Sequence, residues 1–182
     1  VSQTNLPVVA PGVFNVSARI EIQSTTAAAW EALTNFPEYP NWNPFVRSSV
    51  VVSADNLTLP DQRPVENKRL ILRTQIPPLP LPVNKFTPDN PLNTQFAYEN
   101  VTAVQPELLR LAWGYALPTG GALEAVRWQA LSDLGNGKIL YESREVFHGP
   151  LAVVLKALLQ ASLQRAFEAQ GEGLKLLLEG SS

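Results

Sequence analysis

The stretch from Gly149 to Leu178 most constrains what this chain can become. Gly149 and Pro150 open it, and no proline follows. Proline is tolerated at the first helical position, where its missing N–H costs nothing. Leu151, Val154, Leu155, Leu158, Leu159, Ser162 (small), Leu163, Ala166, Phe167, Leu174, Leu177 and Leu178 then recur at helical spacing as a wide apolar stripe. Lys156, Gln160, Gln164, Arg165, Glu168 and Glu172 fall mostly on the other side. Such a helix runs roughly 40 Å and is too polar on one face to span a membrane. It needs a long apolar partner, and the chain upstream offers strands.

Phe14, Val16, Ala18, Ile20 and Ile22 alternate with polar residues over Val13 to Gln23, the period of a half-buried strand. Ser24 or Thr25 caps a short helix through Ala29, Trp30 and Leu33. Pro37 and Pro40 break off a second short helical or turn segment that ends at Trp42-Asn43-Pro44-Phe45. Asn43-Pro44 fixes the turn there, so Trp42 and Phe45 are expected to be buried. Further strands are expected at 46–53, 68–76, 96–104, 108–116, 123–131 and 139–148. Between the third and fourth lies Pro77-Pro78-Leu79-Pro80-Leu81-Pro82, then Pro88 and Pro91. This is a stiffened loop, read either as a rigid connector or as a lid over a cavity mouth.

Centring the 131–139 turn on Gly135 pairs Leu131 with Ile139, Gln129 with Tyr141, Arg127 with Ser143 and Ala125 with Glu145. Arg127, Gln129, Tyr141, Ser143 and Glu145 then share one face; Val126, Trp128 and Leu140 share the other. The expected fold is α+β: a curved seven-stranded antiparallel sheet around a long C-terminal helix, with two short helices after the first strand. Residues 1–12 form an irregular lead-in, 13–178 one domain and 179–182 a tail.

The chain has 182 residues, 45% hydrophobic and 16% charged, with a net charge of -2. That suits one globular domain and supplies no basic stripe for nucleic acid. With no cysteine and one histidine, His148, thiolate metal sites, disulfides and histidine clusters are excluded. Neither a metal nor a cofactor is expected, and a monomer is. The chain starts at Val1, which reads as processing or trimming. Sequons at Asn15, Asn56 and Asn100 place secretion slightly ahead of the cytoplasm, with Asn56, in a loop, the best acceptor.

Three segments resemble the START/Bet v 1 helix-grip superfamily, in particular its polyketide cyclase/dehydrase-like (SRPBCC) branch. The first is Ala18-Arg19-Ile20-Glu21-Ile22 with Ala29-Trp30-Glu31-Ala32-Leu33 and Phe36-Pro37-Glu38-Tyr39-Pro40-Asn41-Trp42-Asn43-Pro44-Phe45. It is similar to an opening strand, a V-W-x-x-L helix and a D-F-x-x-Y-x-x-W-N-P stretch, with Asn35 in place of the aspartate. The second is Leu111-Ala112-Trp113, similar to an L-x-W strand. The third is Glu145-Val146-Phe147-His148-Gly149-Pro150-Leu151, similar to the E-x-F-x-G-x-L lead into the last helix. The resemblance spans about residues 13–178 and is specific for the fold rather than for an activity.

What the resemblance implies is a cavity between helix and sheet that binds or carries a small hydrophobic or amphipathic molecule of lipid, sterol, terpenoid or polyketide type. The alternatives are a cyclase/dehydratase-like enzyme using the same cavity and a co-chaperone-like interaction module. Candidate ligand contacts are Leu72, Trp113, Arg127, Trp128, Tyr141, Glu145, Leu155, Leu159 and Leu163, with Tyr115 and Arg73 behind them. An arginine and a carboxylate on neighbouring strands can orient a polar ligand group, or can simply pair with each other. The mouth is expected between the proline loop and the last helix. Gly171 and Gly173 are expected to loosen that helix's final turns.

Overall fold

A computed structural model describes residues 3–180. Strand β1 (Phe14–Gln23) leads into α1 (Thr26–Thr34), capped by the Thr25 side chain accepting from the Ala28 N–H, and then a 3-10 turn over Phe36–Asn41. Strands β2 (Val46–Val52), β3 (Arg69–Gln75), β4 (Thr94–Gln105), β5 (Arg110–Tyr115), β6 (Glu124–Gly135) and β7 (Lys138–His148) follow. Helix α2 (Pro150–Glu179) closes the chain. The strands form one antiparallel sheet in the order β1-β7-β6-β5-β4-β3-β2. The element following the first short helix is therefore a 3-10 turn, because Pro40 lacks the N–H that an α-helix would bond back to Phe36.

One register differs from the sequence reading. Leu131 lies opposite Tyr141, Gln129 opposite Ser143, Arg127 opposite Glu145 and Ala125 opposite Phe147, a shift of two residues. The cause is the turn. Asn136 and Gly137 both take left-handed dihedrals and make a two-residue hairpin one position beyond Gly135, with a bulge before it. An even shift leaves every side chain on its expected face.

The odd positions of β6 and β7 face α2, which lies along β1 and reaches over β7. Trp42 and Phe45 are buried as expected, with Phe36, Tyr39 and Trp42 in successive edge-to-face contacts and Phe45 against Phe167. Residues 3–12 strap the opposite face of the sheet. There Thr4 and the Asn5 backbone donate to the buried Glu142, and Arg144 donates to the Pro7 carbonyl.

Both sheet edges carry a glutamine side chain that imitates a strand for one residue. Gln164 of α2 accepts from the Ser17 N–H and donates to the Ser17 carbonyl on β1. Gln62 does the same to Val51 on β2.

The helix is clamped unevenly. Gly149, at a φ of 97°, lets the chain turn against the 120s loop; a Cβ there would stand 2.4 Å from the Ala122 carbonyl oxygen. Gly171 and Gly173 bring the C-terminal half directly onto the fold, with the Cβ position of Gly173 only 2.5 Å from the Trp42 carbonyl oxygen. They fasten the final turns rather than loosening them, since close approach outweighs their low helix propensity. The first third of α2 is the loosely covered part: Val153, Val154 and Leu158 are exposed. Backbone amides of residues 153–161 should therefore exchange with deuterium faster than those of 163–178. Equal protection along the helix would contradict this clamping.

Candidate functional site

Beneath that loosely covered part lies a cavity of about 260 Å³. Leu155, Leu159 and Leu163 of α2 form its roof. Leu72 and Thr74 of β3, Trp113 and Tyr115 of β5, Ala125 and Arg127 of β6, and Glu145 and Phe147 of β7 line the sheet side. Gln95, Phe96 and Ala97 at the start of β4, together with Leu123, complete the rim, and Glu99 reaches in from the same strand. Phe96 lines the space yet is 64% exposed, which puts the mouth at the start of β4 beside α2.

The proline loop therefore does not frame the mouth; only Ile76, just before it, touches the cavity. The loop is pinned elsewhere. Arg47 of β2 is 1% exposed and donates to the carbonyls of Pro40, Asn43, Asn84 and Thr87 while pairing with Asp89. Arg73, on the opposite face of β3 from the cavity-lining Leu72 and Thr74, holds the same aspartate at 2.7 Å. Asn90 donates to Gln75. The rigid-connector reading of 77–91 is the one the contacts favour.

Cross-strand register brings the polar floor together. Val101, Trp113, Arg127 and Glu145 form one row across β4, β5, β6 and β7; Glu99 lies opposite Tyr115 in the next. Arg127 is 3% exposed. Its Nε donates to Ser143 and its Nη2 to Gln170, and its guanidinium lies 4.2 Å from the Phe167 ring centroid. Gln170 continues the network to Gln129 and Tyr141, and the Tyr141 hydroxyl donates to Gln129.

Of the residues named from sequence, Leu72, Trp113, Arg127, Glu145, Leu155, Leu159 and Leu163 line the cavity, as does Tyr115. Two do not. Tyr141 shares their face but is sealed under Gly171, where it buttresses the network behind Arg127; burial raises its phenol pKa and keeps it neutral. Trp128 lies on the opposite face, as an even position of β6 must. His148 ends β7 and is not among the lining residues. Asn15, Asn56 and Asn100 are all exposed, Asn56 in a turn where it accepts from Arg69.

Glu99 is the residue sequence reasoning missed. The odd positions of β4 read Ala97, Glu99, Val101 and Ala103, a single carboxylate in an apolar alternation, and that was the available signal. Glu99 is 7% exposed and its Oε2 has no hydrogen-bond partner in the protein. Burial raises its pKa well above the ordinary 4.5, the Glu145 charge raises it further, and Arg127 opposes both. Burial likewise pushes Glu145 up to about 7, with Arg127 again opposing. Among the described residues, Arg127 makes no direct ion pair with either carboxylate, and no group of three or more metal-ligating side chains occurs. Among the described residues no helix is long and apolar enough to cross a membrane.

No family model matches the sequence, and no curated protein matches it. Solved structures do match. A major latex-like protein of Panax ginseng superposes with a TM-score of 0.62 at 10% identity, covering 91% of this chain and 97% of its own. Norcoclaurine synthase of Thalictrum flavum, a point mutant in complex with a transition state analogue, gives 0.60 at 12% identity, covering 96% and 100%. A START superfamily protein of Mycobacterium smegmatis gives 0.56 at 13% identity, covering 92% and 99%. With the strand order, the gripped C-terminal helix and the cavity between them, these likenesses establish that the chain has the helix-grip fold of the START/Bet v 1 superfamily.

Proposed function

We propose that this protein binds a small hydrophobic or amphipathic molecule in the cavity between α2 and the sheet. The observation that carries this reading is the cavity's construction: leucine and aromatic walls, with a few polar groups gathered on one floor. Its volume is slightly below the range of about 300–1,000 Å³ typical of ligand pockets, which favours a compact ring-bearing molecule over a long acyl chain or a whole sterol. An apolar fluorescent probe should bind with about 1:1 stoichiometry. Leu159→Trp, filling the roof, should abolish that binding and leave a cooperative unfolding transition. A variant that unfolds as an overpacked core does, or a probe that never binds, would refute the cavity.

A second reading, a cyclase/dehydratase-like enzyme, draws on Glu99 and Glu145. Carboxyls with pKa values raised toward neutrality suit proton transfer. Native mass spectrometry of protein purified from its source separates the two. A retained molecule recovered unchanged after incubation supports the carrier; its conversion supports the enzyme.

A further inference from the structure

We propose that the cavity selects a ligand bearing a basic nitrogen, whose ammonium group sits between Glu99, Glu145 and the Tyr115 ring while its apolar body lies under Leu155 and Leu159. This inference rests on the cavity reading above and adds the ligand's charge to it.

The argument begins with Glu99 Oε2, a buried carboxylate oxygen that no protein donor satisfies. Leaving such an atom unpaired is costly, so a donor from outside the chain is the missing partner. Charge balance then narrows its nature. The ionisable groups facing Glu99 are Glu145 from β7, Arg127 from β6 and Tyr115 from β5; α2 and β3 present only Leu155, Leu159, Leu163, Leu72 and Thr74. With both carboxyls ionised, the site holds two negative charges against one guanidinium. That guanidinium is already engaged by Ser143, Gln170 and the Phe167 ring. One monovalent cation neutralises the site.

In the empty protein a proton serves, since burial and mutual repulsion hold it on the carboxyl pair. A ligand ammonium replaces that proton and supplies several donors where the proton gave one. Tyr115, directly across the strand pair from Glu99, offers an aromatic face not used by Arg127. Binding is then an exchange: ammonium in, proton out.

The test titrates the protein calorimetrically at pH 8 with three probes sharing one naphthyl body: naphthylethylamine, naphthylethanol and naphthylacetate. The amine should bind at least about tenfold tighter than the alcohol, and the acid weakest. Amine binding should release about one proton, read from buffers of different ionisation enthalpy. Glu99→Gln should bring the amine to the affinity that the alcohol shows for the same variant, and should abolish proton release. An amine no tighter than the alcohol, or an amine indifferent to Glu99→Gln, overturns the inference. If the alcohol still binds and Leu159→Trp removes it, the cavity reading survives that failure. If none of the three binds, both fall.

Discussion

Arg47→Ala should lower the free energy of unfolding by about 3–5 kcal/mol, the scale of four hydrogen bonds to carbonyls lost at about 1 kcal/mol each. The substitution does more than break the pair with Asp89. It withdraws donors from the Pro40, Asn43, Asn84 and Thr87 carbonyls, which belong to two distant stretches of chain. Arg47 thus ties the 3-10 turn, the start of β2 and the proline loop to one planar group, as the guanidinium's forked donors allow. Asp89 keeps Arg73 as a partner, so the loss falls mainly on the carbonyls. Proteolysis within residues 77–90 should accelerate in the variant. Arg47→Met, which restores packing without donors, should recover little. A cost below about 1 kcal/mol by denaturant unfolding would show that the loop is held by its prolines alone.

Stability should fall as pH rises from about 4.5 to 8, and the cavity carboxyls are the cause. Glu145 titrates at about 7 in the folded protein against an ordinary 4.5. Between those values the folded state holds a proton that the unfolded state has lost, so raising the pH favours unfolding. A shift of that size corresponds to a loss of the order of 3 kcal/mol, at about 1.4 kcal/mol per unit. Glu99 shifts in the same direction and adds to the slope. Glu31, whose pKa Arg63 lowers, acts with the opposite sign and below this window: its contribution is lost as pH falls. Replacing both Glu99 and Glu145 by glutamine should flatten the profile and leave the variant more stable than the parent at pH 8. A parent whose stability rises or stays level over this range would contradict the raised values.

The run of strands along the chain, which residues share a strand face, and the long helix were legible because each rests on periodicity. That Arg127, Gln129, Tyr141, Ser143 and Glu145 share a face follows from alternation, and it survived a register error of two residues at Gly135; alternation did not say whether that face or the face of Trp128 looks into the cavity. What escaped depends on contacts between distant segments. Glu99 reads as an ordinary strand carboxylate until β4 is set beside β5 and under α2. Arg47 reads as a polar position in a short strand until the proline loop folds back over it. Gly171 and Gly173 have unfavourable helix propensity, and only the folded contacts reveal that a Cβ at Gly173 would collide with the Trp42 carbonyl and that one at Gly171 would press on Ile20. Tyr141 and Trp128 were separable by parity, but only the depth of the helix decides that Tyr141 is sealed off.

The two glutamines on the outer strands bear on what this protein can recruit. An edge strand with free N–H and C=O groups is a template for another chain, whether a peptide partner or a second copy growing toward a fibril. Gln164 interrupts that template at Ser17 and Gln62 interrupts it at Val51, each by satisfying one residue's donor and acceptor together. An incoming strand would have to evict an amide already bonded at both ends, and on β1 it would also have to displace α2. Recognition by strand addition is therefore disfavoured where it would have to pair across Ser17 or Val51.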